Sequence, residues 1–78
     1  MIFEYVKNSR NQKVGVLMAV DRNKIGWSAC NTKKDKFDKT LGLSIAFGRA
    51  NRHRDYLIPH KLKNAYLRFM GRADRYYK

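Results

Sequence analysis

Seventy-eight residues fit one small α+β domain, spanning 1–78, whose stability rests on a single modest core. The hydrophobic fraction of 44% argues against disorder, and a lone cysteine, Cys30, excludes an internal disulfide and a zinc site built from several thiolates. The charge is the dominant feature: 18 Lys+Arg against 6 Asp+Glu give a net of +12, with an excess of +3 over residues 1–31, +4 over 32–56 and +5 over 57–78. A charge spread through elements that also look folded opposes compaction, so it points to a polyanionic partner.

In chain order, IFEYVK (2–7) alternates Ile2, Glu4 and Val6 with Phe3, Tyr5 and Lys7, which predicts a strand. Asn8 to Gln12 is a polar turn. Lys13 to Val20 predicts a second strand, with Val14, Val16, Met18 and Val20 on one face and Gly15, Leu17 and Ala19 on the other. A strand apolar on both faces belongs in the middle of a sheet. Asp21 to Lys24 is a tight turn in which Asn23 tolerates positive φ, and Ile25 to Cys30 completes an antiparallel three-stranded meander.

Asp35 to about Asn51 predicts a helix, with Asn31, Thr32 or Asp35 as its cap. On a wheel, Phe37, Leu41, Ile45 and Gly48 fall on one side, with Leu43, Ala46, Phe47 and Ala50 roughly opposite. A helix apolar on two sides has to be covered twice, so the expectation is a central helix between the meander and a last helix. Gly42, Ala46 and Ala50 form a ridge of small residues that admits a neighbouring backbone. The last helix starts near Pro59 and presents Ile58, Leu62, Ala65, Tyr66, Phe69, Ala73 and Tyr76 as its apolar face. The element order is β-β-β-α-α.

The run Gly26-Trp27-Ser28-Ala29-Cys30-Asn31, then Lys34-Asp35-Lys36-Phe37-Asp38-Lys39, Gly42, Ile45-Ala46 and Gly48-Arg49-Ala50 resembles a motif of small proteins of tailed bacteriophages. The resemblance covers about a third of the chain and implies a phage gene product acting in the host bacterial cytoplasm. It carries no activity with it.

Function therefore has to come from the side chains. Lys61, Arg68, Arg72 and Arg75 fall within about 60° of one another on the last helix, with Asp74 turned away, a row that can follow phosphates. Lys33, Lys34, Lys36 and Lys39 surround the start of the central helix, where backbone N–H groups also attract anions, and Arg49, Arg52 and Arg54 leave its other end. Each group has a plainer reading as a solvated polar face, a capped terminus or a dipole-compensating end. Trp27 shares a face with Ile25 and Ala29, which makes it a core residue before a base-stacking one. Tyr76 and Tyr77 are expected to tie down the last helical turn.

Enzymatic chemistry is not expected. Glu4 is the sole glutamate and the aspartates mostly sit beside Lys or Arg. Cys30 with His53 or His60 would make a nucleophile pair only if the fold happened to bring them together, the two histidines lack a third metal ligand, and Gly42 and Gly48 lack a P-loop's Lys-Ser/Thr ending. No cofactor or metal is expected. Nor is a membrane partner: no apolar run approaches the ~20 residues of a bilayer span, and MIFEYVK lacks a signal peptide's apolar core. The sequence thus predicts a basic protein that binds double-stranded DNA through phosphates with little sequence preference, Asn64 being the one base-reading amide beside the stripe. Its alternatives are an interaction protein that modulates a host enzyme, and an RNA or single-strand binder. Oligomeric state is left open.

Overall fold

A computed structural model describes residues 1–30, 38–52 and 58–77. Strands β1 (Ile2–Lys7), β2 (Lys13–Asp21) and β3 (Lys24–Ala29) form an antiparallel sheet in the order β1-β2-β3, followed by helices α1 (Lys39–Arg52) and α2 (His60–Tyr76). This is the expected α+β meander followed by two helices.

Local chemistry accounts for the boundaries. At the first turn the Asn8 side-chain oxygen accepts from the backbone N–H groups of Arg10 and Gln12, both at 3.0 Å, an Asx-type closure. Asn11 takes the left-handed conformation there (φ 62°), whereas Asn23, where the sequence suggested it, does not. Lys7 pairs with Lys13 and Val6 with Gly15, so Val14 is left over as a bulge. That bulge turns Val14 away from Val16 and Met18, breaking the expected face of three valines and a methionine at its first member. The cap of α1 is Asp38, whose Oδ1 accepts from the Leu41 backbone N–H at 3.0 Å. The helix thus begins at Lys39, later than the hydrophobic pattern indicated, and the caps proposed at Asn31, Thr32 and Asp35 lie outside the described residues.

The layers stack in a different order from the one the wheel suggested. The sheet, not α1, is the middle layer. Val16 and Met18 meet Ala46 of α1 on one face, with Tyr5 and Leu43 packed alongside. On the other face, Ile2, Val6, Leu17, Ala19, Ile25 and Trp27 pack against Leu62, Ala65, Tyr66, Phe69 and Ala73 of α2. The small-residue ridge does what its spacing implies: Gly42, Ala46 and Ala50 are the buried residues of α1, and the helix backbone comes down on Gly26 of β3. The side of α1 that carries Leu41 and Ile45 is not covered, since they remain 58% and 38% exposed, and Phe47, expected on the side of Ala46 and Ala50, is also 45% exposed. A helix wheel records which side chains are apolar; it does not record that a glycine-and-alanine face sits closer to a sheet than a leucine face can.

On α2, Tyr76 leaves the apolar face and is exposed, and Tyr77 takes over its anchoring role. The Tyr77 hydroxyl donates to the Ala19 carbonyl at 2.8 Å and its backbone N–H to the Ala73 carbonyl at 2.9 Å. Burial pushes the Tyr77 hydroxyl above its ordinary pKa, helped by the charges of Tyr76 and Asp21.

Candidate nucleic-acid interface

Because β1 is an edge strand and α2 crosses the sheet beside it, their side chains frame a groove of about 580 Å³. Arg68, Arg72 and Arg75 line it from α2, with Ala65 as its floor on that side. Glu4, Tyr5, Val6 and Lys7 line it from β1. Three of the four stripe cations predicted on α2 therefore share one concavity, and the strand adds a lysine to them.

The basic surface continues past the end of the groove. Lys7 stands across the strand pair from Lys13, and the Lys13 ammonium lies 4.7 Å from the centre of the Tyr5 ring. Lys13 is half-buried, and its pKa is lowered by desolvation first, then by hydrogen-bond competition and charge from Lys39, and last by the charge of Lys7. The charges of Lys39 and Lys7 both reach Lys13, so the three cations stand near one another. Arg75, Arg72, Arg68, Lys7, Lys13 and Lys39 thus follow one another along the β1 edge and around its end.

Among the described residues, two carboxylates touch this band. Glu4 Oε1 lies 3.4 Å from Arg72 Nη1, with both side chains about half exposed, so water screens the pair heavily. Asp38 precedes Lys39 but is engaged as the α1 cap. Arg72 Nη1 also lies 3.5 Å from the Phe3 carbonyl oxygen, which places its guanidinium at the outer rim of the sheet.

The other predicted cations are placed differently. Lys61 Nζ donates to the Cys30 carbonyl at 2.8 Å, beyond the end of β3 and away from the groove. Arg49 is held in the structure: its Nη1 donates to the Trp27 carbonyl at 3.0 Å and its guanidinium lies 4.1 Å from the indole ring centre. Arg52 is exposed at the C-terminal end of α1, on the opposite face of the sheet from the α2 stripe. Lys33, Lys34, Lys36 and Arg54 lie outside the described residues. Trp27 is 8% exposed beneath Arg49 and offers no face to a base. Asp74, expected to turn away from the stripe, pairs with Arg22 at 2.6 Å.

Lys7 and Lys13 are the residues that a wheel-based search passes over. The signal for them is the hairpin: they flank the polar turn symmetrically, so antiparallel pairing sets them side by side. Among the described residues no group of three His, Cys, Asp or Glu side chains is placed to hold a metal ion, and no helix is long and apolar enough to cross a membrane. No protein family, curated protein or solved structure matches this chain.

Proposed function

We propose that this protein binds double-stranded DNA through backbone phosphates, with little sequence preference. The observation that carries the reading is the run of cations from Arg75 through Arg72, Arg68, Lys7 and Lys13 to Lys39, with Glu4 as the carboxylate paired within it. Arginines and lysines on a groove and its rim suit phosphate contact, and the stripe lacks the Asn or Gln pairs that read base edges. The phage resemblance makes the cytoplasm of an infected bacterium the proposed setting.

With about four phosphates neutralised, log K falls against log salt with a slope near −3.6, a loss of about a hundredfold between 50 and 200 mM. Replacing Arg68, Arg72 and Arg75 together with alanine weakens every sequence about equally and flattens that slope by about 2.7. Tight binding that ignores salt, or a triple variant with unchanged affinity, contradicts the reading.

The exposed Leu41, Ile45 and Phe47 of α1 favour a second reading, an interaction protein that docks on a host enzyme. A pull-down from nuclease-treated lysate separates the two. A partner retained without nucleic acid, and lost on Ile45→Asp, supports docking.

A further inference from the structure

Among the described residues Phe3, Phe47 and Tyr76 are exposed aromatics, and Phe3 adjoins the β1 wall of the groove. Phe3 is 43% exposed in the edge strand β1, one residue from Glu4 in the groove wall. Its ring meets Tyr5 in a T-shaped contact at 5.6 Å, and the Lys13 ammonium covers the Tyr5 ring. Strand alternation turns the Phe3 and Tyr5 rings toward the sheet face opposite the Glu4 side chain, Tyr5 still bordering the groove at the strand's edge. Arg72 closes the geometry, because its guanidinium touches both Glu4 and the Phe3 carbonyl at the rim.

A phosphate on Arg72 and a ring on Phe3 would therefore lie on the two sides of a single strand's thickness. A base inside a duplex cannot reach such a position, since its faces are taken by its neighbours in the stack and its backbone is held to a second strand. An unpaired nucleotide can reach it: the phosphate stays with the arginines while the base folds over the rim onto the aromatic ring. We propose that Phe3 is a stacking platform for an unpaired base, so that the nucleic acid held by the band is a duplex carrying a single-stranded end. This inference rests on the phosphate-binding reading above and narrows the ligand it takes.

The test compares a DNA duplex closed by hairpins at both ends with the same duplex carrying a short single-stranded overhang. Fluorescence anisotropy measures both at one ionic strength. The wild-type protein binds the overhang form about fivefold more tightly, the lower end of what one base–aromatic stack supplies. Phe3→Leu keeps an apolar side chain on an exposed site, removes that gain and leaves closed-duplex affinity unchanged. Phe3→Trp retains the gain, and its indole emission is quenched by the overhang form alone. Equal affinity for the two DNAs in the wild type overturns the inference while leaving phosphate binding intact. So does Phe3→Leu weakening both forms equally, or a concentration-dependent dimer that buries Phe3 and dissociates on Phe3→Asp. Binding to neither DNA overturns both readings.

Discussion

Replacing Gly26 with alanine puts a methyl group where α1 touches the sheet. A Cβ there stands 2.1 Å from the Ala46 carbonyl oxygen, 2.2 Å from the Ala50 backbone nitrogen and 2.8 Å from the Ala50 Cα. All three are main-chain atoms of a regular helix, so no rotamer change relieves the overlap. The helix has to back off by roughly 1 Å, opening a seat in which Ala46 and Ala50 are fully enclosed. Overpacking of this kind costs about 3 kcal/mol, and in a domain of this size each kcal/mol moves Tm by roughly 4–8 °C. The expected drop is therefore about 12 °C or more. Gly48→Ala in the same helix is the control, because a Cβ there meets nothing within 4 Å. Removing a mid-helix glycine stabilises by about 0.5–1 kcal/mol. Thermal and urea melts followed by circular dichroism measure both. A Gly26→Ala protein melting within about 2 °C of wild type, the shift of less than about 0.5 kcal/mol, refutes the seating of α1 on β3.

Glu4→Gln removes the carboxylate opposing Arg72 and raises affinity for duplex DNA by up to about fivefold at low salt, with little change in stability, as expected of an exposed ion pair. Gel shifts read the first effect and melts the second. Tyr77→Phe strands the buried Ala19 carbonyl and costs about 1–2 kcal/mol at neutral pH. The folded chain keeps the Tyr77 proton to higher pH than the unfolded chain, so the group's contribution is whole below pH 10 and is lost as pH rises through the raised pKa; alkaline melts of the phenylalanine variant decline less steeply. For Lys13 the sign is reversed. Its lowered pKa means that the unfolded chain binds more protons just below pH 10.5, so this group's contribution rises with pH in that window. Bound DNA supplies the missing counter-charge, and NMR titration of the Lys13 side chain shows its pKa moving upward when duplex is added.

The strands and helices were legible because each rests on local rules. Alternation in 2–7, turn chemistry at Asn8 and Asn11, and the 3.6-residue pitch of Leu62, Ala65, Tyr66 and Phe69 all act within a few residues. The layer order was not, because β2 and α1 are both apolar on two sides and pattern alone cannot say which lies inside. Gly26 decides it, through a backbone approach that no side-chain pattern records. The α2 stripe was visible on a wheel, and Arg68, Arg72 and Arg75 do share a groove. Lys7 and Lys13 escaped because strand register had to be known first, and the absorption of Arg49 by Trp27 depends on a contact between residues 22 positions apart.

The two helices grip the sheet with unequal strength. α2 contributes Leu62 and Phe69, two of the largest side chains wholly removed from solvent, while α1 is seated on alanines and a glycine. Tight backbone contact fixes position but removes little apolar surface from water, so amide protons of α1 are expected to exchange at lower opening energies than those of α2. Lys39 rides on that looser layer and Lys13 on the rigid sheet, so an anion bridging them would fasten the one to the other and slow the breathing of α1.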